Sequence, residues 1–202
     1  MVSASPLGPA LAMLDIAEVP QGLLALDVLQ KEAEVQLLNA GTVHSGRFFI
    51  LFAGEVEPVE RSLERARESA GRALCDSVLL PRAEERIAPA ISQGARRWPA
   101  PGDTLGVLQN ATPPTLLAAV DAALKGALVD LVELRIGDGL NGKAIASLWG
   151  ETHDVEAALE LAELRAHRGN ARDWSQAVIR RADESVLATL GSSTRFFTEW
   201  RG

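Results

Sequence analysis

His44 stands in the segment Thr42-Val43-His44-Ser45-Gly46, flanked by hydroxyl-bearing residues and closed by glycine. An imidazole in such a place can titrate near neutral pH or bind a divalent cation, but a metal needs several ligands converging on one point. His153 and His167 are not spaced from another His, Cys or carboxylate as a ligand pair would be. The segment Gly137-Asp138-Gly139-Leu140-Asn141-Gly142 has the composition of a phosphate-binding fingerprint. It leads into an apolar strand rather than a helix, so the helical amide cradle for phosphate is missing. Cys75 is the single cysteine; it rules out a disulfide framework, fits a reducing compartment and is expected before the closing strand as a small core or surface residue. Glu55, Glu57, Glu60 and Glu64, mixed with Arg61, Arg65 and Arg67, give i,i+4 pairs on a wet helix face and need no catalytic role. No nucleophile, base and orienting group occur at a supporting spacing, so no catalytic residue, metal or cofactor is expected.

What holds these residues in place is a unit written twice. At a shift of 94, Leu11-Ala12-Met13-Leu14 falls on Leu105-Gly106-Val107-Leu108, and Leu23, Ala25, Asp27, Lys31 and Val35 fall on Leu117, Ala119, Asp121, Lys125 and Val129. After a two-residue slip, Gly46-Arg47 meets Gly142-Lys143 and Gly54-Glu55 meets Gly150-Glu151 at a shift of 96; Arg82-Ala83-Glu84-Glu85 then meets Arg181-Ala182-Asp183-Glu184 at 99. Offsets constant over whole segments imply one structural unit duplicated and fused. With 202 residues, two domains of about 100 residues follow, placed at 1–97 and 98–202.

Each copy reads β-α-β-β-α-β. Ala10 to Ile16 is a strand, Gln21 to Ala33 a helix with Leu23, Leu26 and Leu29 at helical spacing, Val35 to Ala40 and Phe48 to Ala53 two strands, Glu57 to Ala73 an amphipathic helix, and Ser77 to Leu80 the closing strand. The second copy runs Thr104 to Gln109, Pro114 to Gly126, Val129 to Ile136, Lys143 to Leu148, Asp154 to Arg168 and Gln176 to Ile179. The class is α+β, each half a four-stranded antiparallel sheet with two helices on one face. Ser92 to Pro101, rich in Gly, Arg and Pro, reads as the linker. A net charge of −7 and the lack of a basic patch disfavour nucleic acid. No apolar stretch reaches the length of a membrane span, and no Lys or Arg precedes Lys31, so the basic region of a signal peptide is not seen.

The motifs Asp27-Val-Leu-Gln-Lys31, Thr42-Val-His-Ser-Gly46, Ala53-Gly-Glu55 and Leu80-Pro-Arg-Ala-Glu-Glu85 have their counterparts in Asp121-Ala-Ala-Leu-Lys125, Gly137 to Gly142, Trp149-Gly-Glu151 and Arg180-Arg-Ala-Asp-Glu184. In order and spacing they resemble the bacterial microcompartment shell domain over roughly residues 10–190. The unpermuted element order is similar to the tandem-domain shell proteins of the propanediol-utilisation kind, and less like the permuted tandem proteins with large gated pores. The second copy departs in having Arg180 where the first has Pro81.

The resemblance implies a homotrimer of two-domain chains, a flat pseudohexameric tile packed beside other shell hexamers and pentamers in the bacterial cytoplasm. Its central pore would pass small-molecule metabolites. The family's loop between the second and third strands faces that axis, which puts Thr42, Val43, His44, Ser45 and Gly46 from one copy, and Gly137, Asp138, Gly139, Leu140, Asn141 and Gly142 from the other, around the hole. The family's edge lysine maps onto Lys31 and Lys125 and its edge arginine onto Arg82 and Arg181. The propanediol-type protein holds an iron-sulfur cluster through a cysteine near the place of His44; this chain has no thiolate there, so no cluster is expected. Two other readings stand beside the tile: a regulatory trimer binding a small molecule, and a pore protein bearing a metal at three His44 side chains. Beyond the repeat, Phe196, Phe197 and Trp200 hold three of the nine aromatics, a concentration that points to docking in a groove of the same or an adjacent subunit.

Overall fold

The computed structural model describes residues 8–93, 103–137 and 139–186. The chain forms two compact units, one up to Ala83 and the other from Glu84. The division falls earlier than the 97/98 boundary expected from composition. Part of the presumed linker is a helix, α3 (Ile87–Gln93), which packs on a strand of the second unit.

In the first unit β1 (Ala10–Ile16), α1 (Val19–Glu32), β2 (Gln36–Thr42), β3 (Phe48–Gly54), α2 (Val56–Ala70) and β4 (Leu74–Leu80) build an antiparallel sheet in the order β2-β3-β1-β4. In the second, β5 (Thr104–Asn110), α4 (Pro113–Gly126), β6 (Asp130–Ile136), β7 (Ala144–Gly150), α5 (Thr152–His167) and β8 (Ser175–Arg180) repeat it as β6-β7-β5-β8. The expected strands and helices are all present. The closing strand of the first copy starts at Leu74, so Cys75 lies within it rather than before it.

Alternation decides which side chains meet the helices. Ala10, Ala12, Leu14 and Ile16 join Phe48, Ile50 and Phe52, Leu29 of α1 and Val59, Leu63 and Ala66 of α2 in one core. The opposite face of β1 and β3 is also buried at Met13, Phe49 and Leu51. In the second unit Leu105, Val132 and Trp149 lie on that opposite face, with Ala182 and Val186 packed against them.

The repeat extends to register. Strand pairing is irregular between Leu37 and Asn39 in β2, and between Leu131 and Glu133 in β6. These are the same places in the two copies, so the bulge was duplicated with the sheet. Thr42 pairs with Phe48 and Ile136 with Ala144. The two-residue slip in the sequence match is thus one longer hairpin loop in the second copy. Ala17 N–H donates to the Ala73 carbonyl at 2.7 Å, and Ala111 N–H to that of Arg172 at 2.8 Å. The later slip is therefore the longer turn between α5 and β8.

Packing is conserved while residues trade size. A Cβ on Gly22 would lie 2.4 Å from Phe48 Cγ. The equivalent positions in the second unit are Leu116 and Ala144, both fully buried. Large beside small has become small beside large, which keeps volume nearly constant.

Candidate functional site

Two hairpin loops carry the residues singled out by the sequence, and each is closed the same way. In the first, Val43 N–H donates to the Arg47 carbonyl at 3.0 Å and Gly46 N–H to the Val43 carbonyl at 2.8 Å. Val43 is turned in and buried, while Thr42, His44, Ser45 and Gly46 are exposed. Gly46 takes φ +74°, the left-handed conformation that glycine adopts without a Cβ clash.

In the second loop Gly137 N–H donates to the Lys143 carbonyl at 2.9 Å, the counterpart of the Val43–Arg47 bond. The two extra residues form an inner turn, with Leu140 N–H bonded to the Gly137 carbonyl at 3.1 Å and Lys143 N–H to that of Leu140 at 3.0 Å. Gly137, Gly139, Asn141 and Gly142 all have positive φ. Gly139 and Asn141 are exposed, Leu140 is half-buried, and Gly137 and Gly142 are buried; Asp138 lies outside the described residues. Positive φ at four positions explains why glycine supplies three of them and asparagine, which tolerates that region best among the rest, the fourth.

Beneath the first loop sits an ion pair that the sequence reading did not single out. Asp15, on the otherwise apolar β1, is fully buried; Arg47 Nε donates to its Oδ1 at 2.7 Å and Arg47 NH2 meets Oδ2. The guanidinium also lies 5.3 Å from the centre of the Phe49 ring. Burial pulls the Arg47 pKa below its usual value, opposed by electrostatic attraction towards Cys75 and Asp76. In the second unit Gln109 and Lys143 hold the equivalent positions, and Lys143 Nζ pairs with Asp173 at 3.3 Å near the surface. That unit has its own buried carboxylate, Glu133, whose Oε1 lies 3.4 Å from Arg135 Nε on the strand leading into the loop. A lone charge in an apolar strand was the signal available for Asp15, and two opposite charges two apart on β6 the signal for Glu133 and Arg135.

The edge candidates form a matched set. Lys31 Nζ meets Asp27 Oδ2 at 2.7 Å and Lys125 Nζ meets Asp121 Oδ2 at 2.7 Å, each lysine exposed on the last turn of its helix. A cation there also suits the helix C-terminus. Asp121 takes a further hydrogen bond from Glu84 N–H at 2.8 Å. Arg86 donates to the carbonyls of Val129 and Leu124 at 2.8 and 3.4 Å and pairs with Glu84 at 2.9 Å. Arg82 and Arg181 are exposed in the turns after β4 and β8.

Two hydrophobic faces differ between copies. Leu23 and Leu24 on α1 are 54% and 49% exposed, whereas Leu117 and Ala118 at the same places on α4 are buried. Among the described residues, no group of three or more His, Cys, Asp or Glu side chains is placed to hold a metal ion. No described helix is long and apolar enough to cross a membrane.

Known proteins match in both sequence and fold. The model of the BMC domain matches twice, over residues 10–83 and 104–182. The bacterial microcompartment shell protein PduT of Citrobacter freundii is 28% identical over 177 residues, covering 88% of this chain and 95% of that protein. A microcompartment protein from Desulfitobacterium hafniense DCB superposes with a TM-score of 0.74 at 27% identity, over 88% of this chain and 97% of its own. A fused permuted hexameric shell protein from the RMM microcompartment reaches a TM-score of 0.62 at 22% identity, over 79% of this chain and 84% of its own, a likeness of fold. With both halves matched and the unpermuted element order in each, the chain belongs to the BMC domain family, as a tandem pair of such domains.

Proposed function

We propose that this protein is a structural tile of a bacterial microcompartment shell in the cytoplasm, a homotrimer whose six domains form a pseudohexagon around a pore. The observation that carries this reading is the equivalence of the two units in strand order, pairing register and bulge position. Two domains this similar can occupy alternating places in one ring, and three chains then close it without a growing end. The exposed Leu23 and Leu24 on α1 are apolar surface that ring closure would remove from water.

In this arrangement His44, Ser45 and Gly46 from three chains alternate around the axis with Gly137 to Gly142 from three others, and select among small metabolites by size and polarity. Val43, turned inward, supports the loop rather than lining the opening. The edge is carried by Lys31, Lys125, Arg82 and Arg181, which reach towards other shell hexamers and pentamers with the stem on the neighbour and the charged head on its carbonyls. Among the described residues, no group of three or more His, Cys, Asp or Glu side chains is placed to hold a metal ion. Electron microscopy of cells overproducing the chain tests the proposal: extended sheets or tubes support it, and discrete soluble oligomers alone reject it.

A further inference from the structure

The end of each copy folds into the same small turn. After β4, Arg86 N–H donates to the Glu84 carboxylate at 3.1 Å and Ile87 N–H to the Glu84 carbonyl at 3.1 Å. After β8, at the shift of 99, Ser185 N–H donates to the Asp183 carboxylate at 2.9 Å and Val186 N–H to the Asp183 carbonyl at 3.0 Å. Phe196, Phe197 and Trp200 lie further on, outside the described residues. The first turn is seated. Although the repeat makes it the end of the first copy, Glu84 opens the second compact unit. There Glu84 N–H reaches Asp121 of α4, Arg86 holds the carbonyls of Leu124 and Val129, and α3, which follows directly, packs on β6.

The first unit carries the same seat, built at the shift of 94 from Asp27, Gln30, Val35 and β2. Here it is open. The Asp27 side chain is 53% exposed against 12% for Asp121, and Leu37 of β2 is 40% exposed against 2% for Leu131 at the same place. Asp183, Glu184 and Ser185 are exposed as well. One seat filled and one open, with one turn seated and one in water, is what a head-to-tail contact leaves at the two ends of a chain.

We propose that the open seat on the first unit takes the Asp183–Val186 turn of a second copy of this chain, with Asp183 N–H on Asp27. This rests on the ring proposed above and names the surfaces by which its chains join. The filled seat selects the occupant, because what it holds is the same turn, closed by the same two hydrogen bonds. The turns differ at one telling position. Ser185 stands where Arg86 does, and its short hydroxymethyl group cannot span to the carbonyls of Gln30 and Val35 as a guanidinium fork does. The joint between chains therefore lacks the clamp that holds the Glu84 turn, and the ring opens there first.

Sedimentation velocity over a dilution series of the full chain tests this, with sub-denaturing urea added where dilution alone does not part the trimer. Asp27→Ala should raise the concentration at which the trimer half dissociates by about tenfold or more, because a hydrogen bond to a carboxylate is lost at every junction between chains. Ser185→Arg, which supplies the missing guanidinium, should lower it by a similar factor of about ten. Asp27 and Ser185 are both exposed, so neither change unsettles the fold, and circular dichroism checks that. A midpoint that Asp27→Ala does not raise, or that Ser185→Arg does not lower, overturns the seat while the ring stands. A chain that is monomeric at every concentration overturns both.

Discussion

Arg47 grips Asp15 across the base of the first hairpin loop, with Nε 2.7 Å from Oδ1 and the carboxylate wholly out of water. Removing one member of such a pair leaves the other charge buried without its main partner, at a cost of about 3–5 kcal/mol. Asp15→Ala should therefore lower stability by that order in urea unfolding, and should loosen the Gly46 amide in hydrogen exchange. Gln109→Ala, at the same place in the second unit, should cost under about 1 kcal/mol because no ion pair is broken. Equal losses in the two variants would remove the pair from its anchoring role.

The reversed sizes at Gly22/Phe48 and Leu116/Ala144 give a second prediction. Gly22→Leu alone drives a side chain into Phe48 and should destabilise by more than the usual overpacking range of about 1–3 kcal/mol. Gly22→Leu with Phe48→Ala copies the second unit and should recover most of the loss, an interaction energy above about 1 kcal/mol in a double-mutant cycle. Additive losses would mean that the two positions do not exchange volume.

Much of this architecture was legible before any coordinates. The shift of the internal match located the hairpin insertion to within the loop that contains it, because strand register admits no slip of one residue without exposing a face. What escaped was tertiary. Ser92 and Gln93, at the start of the stretch that reads as a linker, belong to the helix Ile87–Gln93, because packing on β6 stabilises a short helix that propensity alone leaves open. Leu74 joined the closing strand by pairing with Ile16 of β1, a partner distant in sequence, and Cys75 falls at the register shift beside it. The Asp15–Arg47 pair was invisible for the same reason, its members being 32 residues apart.

Edge chemistry makes a third prediction. Lys31 and Lys125 each keep an intrahelical partner worth only about 0.3–0.5 kcal/mol, so Lys31→Ala/Lys125→Ala should leave the melting temperature nearly unchanged. Sheet formation, seen by electron microscopy, should fall markedly, because small contacts lose affinity disproportionately when an anchor goes. Sheets of undiminished extent would show that the tile edge lies elsewhere.

For the pore, His44→Glu should put up to three carboxylates around the axis in a trimer, with partial protonation relieving some of their mutual repulsion. Passage of an anionic metabolite through reconstituted shells should slow relative to a neutral one of similar size. Unaltered anion selectivity would place His44 away from the conducting path.

The central claim is that three two-domain chains close one ring, and particle mass reads it most directly. Mass photometry of the purified chain in dilute solution should give a dominant species near 64.5 kDa, three times the 21.5 kDa chain, with larger particles at multiples of it. A stable monomer near 21.5 kDa, or a dimer at twice that mass, persisting at micromolar concentration would contradict the account.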